Sequence, residues 1–247
     1  MPQSLLVINC IAAFIFTTAL TAVLLYLPWQ IRHSYRQTFV ALARAVEARE
    51  PHLLGHAEQT ARYAVLMARW CGMSLIATRR LEYAALLHGI GKVSVPYGML
   101  NTSTNFTGSA DRFVQRDYVR VGGAIMDAIP ILQPAADFVR YHHEYMDGSG
   151  YPFGRFGRSI PFEAQMICVA SEYVAMTTPR LYRAALSLPA AEADAYLWKH
   201  AGNRYRRSVV LLFQIAKTGE KLKHALVTAA RYITVVIQSA PLPRRAL

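Results

Sequence analysis

The chain has 247 residues, of which 53% are hydrophobic and 17% are charged, so it can bury a sizeable core and is not a disordered polypeptide. Its formal net charge of +12 favours anionic partners such as lipid headgroups or nucleotides. The basic residues are scattered and form no nucleic-acid-binding motif, so we expect no nucleic-acid partner.

An uncharged segment covers residues 5–27 and is long enough to cross a bilayer as a helix. A cleavable signal peptide is the alternative, but no Lys or Arg precedes the segment, which is also long for such a peptide. Arginines follow the segment, which predicts that residues 1–4 lie outside and that the rest of the chain lies in the cytoplasm. We therefore expect a single-pass protein of the bacterial inner membrane, with the lipid bilayer as one partner.

The region after this segment has helical periodicity. Pro28 is expected to bend or end the span, and residues 28–50 to form a linker helix. Further helices are predicted at residues 55–71, 78–88, 111–128, 130–143, 161–178, 190–201, 204–218 and 220–238.

The predicted fold class is therefore all-α. It has one N-terminal transmembrane helix, a helical domain at residues 51–218, and a C-terminal amphipathic helix with a basic tail at residues 219–247. The sequence leaves three alternatives for the surface on which the amphipathic helix packs: its own domain, a partner protein, or the membrane surface.

Two motifs lie within the helical domain. Residues 86–92 read LLHGIGK, and residues 142–152 read HHEYMDGSGYP. This order of motifs resembles the HD-GYP branch of the HD-domain phosphohydrolases, and the resemblance extends over residues 47–217. It implies an HD-domain-like helical bundle, which in that family carries a two-metal site of the cyclic di-GMP phosphodiesterase type.

By this resemblance, four histidines stand at metal-ligand positions: His56, His88, His142 and His143. Three other ligand positions differ from the family, with Gly89 and Ser171 in place of aspartates and Tyr118 in place of a histidine. Binuclear hydrolysis needs carboxylates that bridge two ions and offset their charge. The sequence therefore predicts vestigial metal positions, no catalysis and no bound metal. A single divalent ion such as zinc, held by the histidines, is the alternative.

Four residues are candidates for contact with the phosphates or bases of a nucleotide, again by resemblance: Lys92, Tyr151, Arg180 and Arg183. The predicted function is that of a catalytically inactive interaction or scaffold subunit, with other membrane proteins as partners. The alternatives are an effector that binds cyclic di-GMP without hydrolysing it, and a phosphohydrolase with a remodelled single-metal site.

Overall fold

Helices joined by turns make up the described part of the chain. The computed structural model describes residues 3–100, 109–178 and 187–239. Within these residues there is no β-strand, and an isolated bridge joins Ala201 and Tyr205. The predicted all-α fold class is confirmed.

The described residues contain ten α-helices. In chain order they are α1 (Gln3–Thr21), α2 (Leu27–Glu47), α3 (His56–Trp70), α4 (Leu75–Leu87), α5 (Tyr97–Leu100), α6 (Ser109–Asp127), α7 (Ala136–Arg140), α8 (Phe162–Thr177), α9 (Ala190–Lys199) and α10 (Arg207–Ser239). Short helical turns of other kinds occur at Ala22–Tyr26, Pro51–Leu53, Ile90–Ser94, Gln133–Ala135 and Gly157–Ser159.

The N-terminal helix runs from Gln3 to Glu47 and, among the described helices, is the one long and apolar enough to cross a membrane. Its most apolar window has a mean hydropathy of 2.2 and is not buried against the rest of the protein. Pro28 does not end this helix, because a π-helical turn at Ala22–Tyr26 directly precedes it. The wider turn accommodates a residue that lacks an N–H and whose ring crowds the preceding carbonyl.

The bundle is centred on α3, which packs on α4, α8 and α10. The buried face of α3 carries alanines, which allow the neighbouring helices to approach closely. Larger side chains from those neighbours fill the core: Leu81, Leu86, Met166, Ile167 and Phe213. On the other side, α6 packs on α7 and on the Ile90–Ser94 turn, which brings two distant parts of the chain to one site.

α10 is a single helix from Arg207 to Ser239, whereas the sequence predicted two helices separated at Gly219. A Cβ atom at residue 219 would lie 2.0 Å from the ring of Trp70. The glycine therefore permits a close approach between α10 and Trp70 and does not end the helix.

The predicted helix at residues 130–143 is much shorter in the structure. A 3₁₀ turn at Gln133–Ala135 leads into α7, which ends at Arg140. Pro130 and Pro134 lack the backbone N–H that a longer helix would need. As a result, the two adjacent histidines that follow lie in a turn, where their backbones are not tied to helical geometry.

Candidate functional site

His56 is the first residue of α3, and Glu47 fixes this helix end. Gly55 precedes it with φ +83°, a left-handed conformation that favours glycine. The buried carboxylate of Glu47 accepts hydrogen bonds from the N–H groups of Gly55 at 2.8 Å and Ala57 at 2.6 Å. Burial raises the pKa of Glu47, and these two hydrogen bonds oppose the rise. The carboxylate thus caps α3 and sets the position of His56.

His88 and His142 are oriented by the same type of contact. The Nδ1 of His88 lies 2.7 Å from the carbonyl oxygen of Ala85, and the Nδ1 of His142 lies 2.7 Å from that of Val139. A carbonyl oxygen can only accept, so Nδ1 carries the proton in both rings and Nε2 keeps its lone pair. Histidines that bind metals typically make this second hydrogen bond.

The Nε2 atom of His142 is buried and has no hydrogen-bond partner among the described residues. Leaving a buried polar atom unpaired costs about 1–3 kcal/mol. Burial lowers the pKa of His88 to about 4 and that of His142 to about 3. Both imidazoles are therefore neutral at pH 7, which is the form that binds metal ions.

His56, His88 and His142 lie side by side, and we call them the histidine cluster. The ring centres of His56 and His88 are 5.2 Å apart, and those of His88 and His142 are 5.3 Å apart. Imidazoles that share one metal at about 2.0–2.1 Å per bond have ring centres roughly 5 Å apart. The Nε2 of His56 is 3.1 Å from the hydroxyl of Ser171, so this possible metal ligand is already engaged in a hydrogen bond.

The ring centre of His143 lies 4.1 Å from that of His142, but its Nε2 is engaged by a tyrosine. The hydroxyl of Tyr118 and the Nε2 of His143 are hydrogen-bonded at 2.7 Å, and burial raises the pKa of Tyr118, so the hydroxyl keeps its proton. The ring of Tyr151 stacks on His143 with ring centres 4.7 Å apart. Tyr118, where the family has a histidine, therefore engages one nitrogen of His143, while the buried Nδ1 has no hydrogen-bond partner among the described residues. The pKa of His143 is lowered well below 6.5, chiefly by burial.

Gly89 borders a cavity of about 30 Å³. The cavity is also lined by Glu47, His56, His88 and Lys92 and has room for about one or two water molecules. A Cβ atom at residue 89 would meet Lys92 Cδ at 4.0 Å and nothing closer. Packing therefore does not require glycine at this position, and a larger side chain would extend beside the histidine cluster.

Lys92, a predicted phosphate contact, is paired with a carboxylate. Its Nζ lies 2.8 Å from Oε1 of Glu50, and both side chains are largely buried. The same Nζ lies 5.8 Å from the ring centre of Tyr118. The other two basic candidates, Arg180 and Arg183, lie outside the described residues.

Glu172 follows Ser171 on α8 but binds elsewhere. Its carboxylate accepts hydrogen bonds from the hydroxyl of Tyr145 at 3.2 Å and from Arg204 at 3.2 Å. Arg204 also donates to the Tyr145 hydroxyl. The described contacts of this carboxylate are thus with an arginine and a tyrosine, and it does not substitute for the aspartate missing at residue 171.

The structure reveals a role for Glu144 that the sequence did not assign. Glu144 is fully buried, and its carboxylate accepts hydrogen bonds from the N–H groups of Phe153 at 2.7 Å and Arg155 at 2.8 Å. Both belong to residues 144–161, which we call the glycine loop. Gly150 lies so close to the chain that its Cβ would be 2.4 Å from the His143 carbonyl oxygen. In the sequence, the feature that could have indicated this role is an acidic residue placed directly before a glycine-rich segment.

The donor set determines which metal site these residues could form. Across residues 3–100, 109–178 and 187–239, no three His, Cys, Asp or Glu side chains are gathered as a metal site. The unpaired Nε2 of His142 and the unprotonated Nε2 of His88 are nevertheless suited to binding one divalent ion. His56 could be a third ligand if its hydrogen bond to Ser171 were broken. They do not suit two ions, because the cluster contains no carboxylate to bridge them.

The HD domain family matches residues 41–209 of the chain, which include every residue of the histidine cluster and the glycine loop. The chain belongs to the HD-domain family. The resemblance drawn from the two motifs is thereby confirmed, including its assignment to the HD-GYP branch.

Curated relatives of this HD-domain protein are bacterial phosphodiesterases. A cyclic di-GMP phosphodiesterase response regulator of Xanthomonas campestris pv. campestris is 32% identical over 178 residues, which are 71% of this chain and 46% of the relative. A 3'3'-cGAMP-specific phosphodiesterase of Vibrio cholerae is 33% identical over 62% of this chain and 33% of the relative. A cyclic di-GMP phosphodiesterase of Thermotoga maritima is 31% identical over 68% and 45%. The HD-domain protein thus spans less than half the length of these relatives.

Solved structures agree with the HD-domain fold. An HDG"Y"P protein from Bdellovibrio bacteriovorus has a TM-score of 0.52 and 21% identity over 66% of this chain and 51% of that one. A cyclic GMP-AMP specific phosphodiesterase of V. cholerae has a TM-score of 0.58 and 14% identity over 86% of this chain and 55% of that one. At these identities the likeness establishes the fold.

The prediction that this HD-domain protein is not an enzyme is contradicted by its relatives. Proteins at about 30% identity are named as phosphodiesterases of cyclic dinucleotides, which points to an enzyme family. The prediction gave too much weight to the lost carboxylates. Without them two ions are not bridged, but imidazole donors that suit one ion remain. The predicted role as an interaction or scaffold subunit is supported by neither the relatives nor the structure and stays a prediction.

Proposed function

We propose that this chain is a phosphodiesterase of cyclic dinucleotides that works with one divalent metal ion held by His56, His88 and His142. The observation that carries the proposal is the buried, unpaired Nε2 of His142, beside a His88 ring held in the same tautomer. A metal ion at this place would give the Nε2 of His142 a partner. When bound, it would supply Lewis-acid polarisation of a phosphoryl oxygen.

The protein's own residues contribute orientation and charge. Ala85 and Val139 hold two imidazoles with Nε2 unprotonated, so no proton has to leave before an ion binds. Tyr118 keeps His143 in place as the platform on which Tyr151 stacks. Tyr151 presents an aromatic ring beside the cluster, which suits contact with a nucleobase. Lys92, Arg180 and Arg183 stay predicted phosphate contacts.

The substrate class follows from the relatives, which are named for cyclic di-GMP and 3'3'-cGAMP. Both molecules carry two phosphodiester groups and two purines, so one chemistry serves both. Because the chain spans less than half of those relatives, hydrolysis by this chain alone has to be measured.

The test is hydrolysis of cyclic di-GMP and of 3'3'-cGAMP by the full chain in detergent, with Zn²⁺, Mn²⁺ or Fe²⁺ supplied. We expect metal-dependent turnover that falls roughly a hundredfold in His142→Ala. His200→Ala is the matched control, because its Nδ1 also lies near a backbone carbonyl, that of Tyr196 at 2.9 Å, but on α9. Absence of turnover with all three metals, or equal turnover in both variants, would contradict the proposal.

Our proposal for location is that α1 anchors the enzyme in the bacterial inner membrane, with the HD domain in the cytoplasm. The long unburied apolar helix and the arginines that follow it support this arrangement. A signal sequence can also form an apolar helix near the N-terminus, and sodium carbonate extraction of the mature protein distinguishes the two. An interaction with other membrane proteins stays a prediction.

A further inference from the structure

The connection between α3 and α4 exposes three large apolar side chains. Trp70, Leu75 and Ile76 are 51%, 66% and 64% exposed. Trp70 is the last residue of α3 and Leu75 the first of α4, so the three side chains lie at one end of the helical pair. Single exposed apolar residues are ordinary, but a group of them marks an interaction site. We call residues 69–80 the α3–α4 turn surface.

The α3–α4 turn surface is also basic. It contains Arg69, Arg79 and Arg80, and no Asp or Glu. Within the part of the chain that the structure describes, none of these arginines forms a salt bridge. Arg69 also lines a cavity with Glu58, Glu82 and Glu220, so carboxylates lie near its positive charge. Large apolar side chains beside Arg79 and Arg80 complement an anionic lipid surface.

The packing of α2 on α4 shows which way this surface faces. Arg36 of α2 pairs with Glu82 of α4 at 2.7 Å, and further along the two helices Val46 and Leu86 line one cavity. Residue numbers rise together along both helices, so they run in the same direction. The start of α2 and the start of α4 therefore lie at the same end of the domain.

The helical rise per residue gives the position of the α3–α4 turn along the direction of α2. Leu75 precedes Glu82 by about 10 Å at 1.5 Å per residue. The same step back along α2 from Arg36 reaches Trp29, which is 54% exposed and follows the uncharged segment at residues 5–27. Tryptophan at such a position is typical of a membrane interface. The α3–α4 turn surface is thus level with the predicted membrane exit of the chain.

α10 extends towards the same end. Its Phe213 contacts Tyr63 of α3 with ring centres 5.3 Å apart, and its Gly219 lies against Trp70, so α10 and α3 are parallel. α10 continues for twenty residues beyond Gly219, about 30 Å at 1.5 Å per residue, so this stretch would enter the membrane if the turn lay at the headgroups. Its first residues expose apolar and basic side chains: Lys221, Leu222, Lys223 and Leu226.

We propose that the α3–α4 turn surface rests on the anionic lipid headgroups of the membrane that α1 spans. Trp70, Leu75 and Ile76 enter the interface, and Arg69, Arg79 and Arg80 contact lipid phosphates. Basic residues are attracted to an anionic leaflet, so these three arginines together hold the domain against the membrane in one orientation. The proposal depends on α1 as a span and is independent of the reaction.

The chain offers a native probe site for the test. Cys71 lies within the surface and is exposed, whereas Cys168 is buried and does not react. Cys10, in α1, is replaced by serine. The full chain is labelled at Cys71 with an environment-sensitive fluorophore and reconstituted into vesicles of phosphatidylcholine, with or without phosphatidylserine. We expect a blue-shifted emission and quenching by headgroup-depth nitroxide lipids when phosphatidylserine is present.

Replacement of the three arginines tests the charge contacts. Arg69→Gln, Arg79→Gln and Arg80→Gln together are expected to remove most of the quenching in phosphatidylserine vesicles. Leu75→Ser with Ile76→Ser tests the apolar contacts separately and is also expected to lower it. Four of these five positions are exposed and Arg79 is half-buried, so the fold is expected to persist, which circular dichroism checks.

The matched control lowers the net charge equally at other exposed arginines: Arg120→Gln, Arg158→Gln and Arg207→Gln. It is expected to leave the quenching unchanged. Equal quenching in the two lipid mixtures, equal loss in the two triple variants, or a water-exposed probe in both mixtures would overturn the proposal. So would a chain that does not float with the vesicles, because α1 would then not place this surface at a membrane.

Discussion

The histidine cluster and the glycine loop meet at His142 and Glu144, but their polar atoms are satisfied in different ways. The carboxylate of Glu144 accepts two backbone hydrogen bonds, whereas the Nε2 of His142 is buried without a partner. A saturated carboxylate stabilises a loop, and an unpaired imidazole nitrogen is available to an ion. Two nearby residues of one motif thus have different roles: Glu144 stabilises the loop, and His142 is available as a metal ligand.

Among single substitutions, the largest effect is expected for Glu144→Ala, which removes the carboxylate that stabilises the glycine loop. The buried acceptor for the N–H groups of Phe153 and Arg155 is lost, so the free energy of unfolding should fall by about 4 kcal/mol. Denaturant unfolding in detergent, followed by circular dichroism, measures it. Glu192→Ala, at an exposed position on α9, should change it by less than about 0.5 kcal/mol. Similar losses of unfolding free energy in both variants would show that the carboxylate of Glu144 does not stabilise the loop.

Two glycines of one motif provide the next test. A Cβ at residue 91 would lie 1.8 Å from the carbonyl oxygen of Tyr118, so Gly91→Ala should cost about 3 kcal/mol or more. Gly89→Ala should change stability by less than about 1 kcal/mol, because space is open there. The same unfolding assay compares them, and an equal cost would show that Gly89 is also required by packing.

The pH dependence of stability tests the buried histidines. Burial lowers the pKa of His88 to about 4 and that of His142 to about 3, from 6.5. Between pH 6.5 and about 4 the unfolded chain therefore binds more protons than the folded chain. With metals chelated, stability should fall on acidification by about 1.4 kcal/mol per pH unit for each histidine. His200→Gln should keep this slope, and a flat profile from pH 6.5 to 5 would argue against neutral buried imidazoles.

The smallest effect is expected for Tyr118→Phe. It removes the hydroxyl that donates to His143 and leaves a buried Nε2 unpaired, at a cost of about 1–2 kcal/mol. Tyr35→Phe, where the side chain is 41% exposed, is the control and should cost less than about 0.5 kcal/mol. A neutral Tyr118→Phe would indicate that His143 belongs with the cluster.

The helices and the motif residues could be predicted from the sequence because both depend on local patterns. Periodicity located most of the helices, and the resemblance of the motifs to the HD-GYP branch placed His56, His88 and His142 at ligand positions, an assignment that stays a prediction. Errors arose where contacts between distant residues decide the outcome. Gly219 is inside a helix because Trp70 packs on it, and no local pattern records that contact.

Within the site, the sequence could not reveal how polar atoms are shared. Tyr118 is a substitution in the sequence, but its hydrogen bond to a histidine twenty-five positions on is visible only in the fold. Likewise, the sequence shows that Glu144 is an acidic residue of the motif, but its hydrogen bonds to two backbone N–H groups are visible only in the fold. The wrong prediction of inactivity had the same origin, because the sequence shows which ligand positions differ from the family but not how the nitrogens of the remaining histidines are hydrogen-bonded.

Elemental analysis of the full chain, purified without added metal, is the direct test of a single-ion site on the histidine cluster. We expect about one divalent ion per chain, close to none in His142→Ala, and about one in His200→Ala. Two ions per chain, or a chain that takes up no zinc, manganese or iron on incubation, would contradict a single-ion site on the histidine cluster.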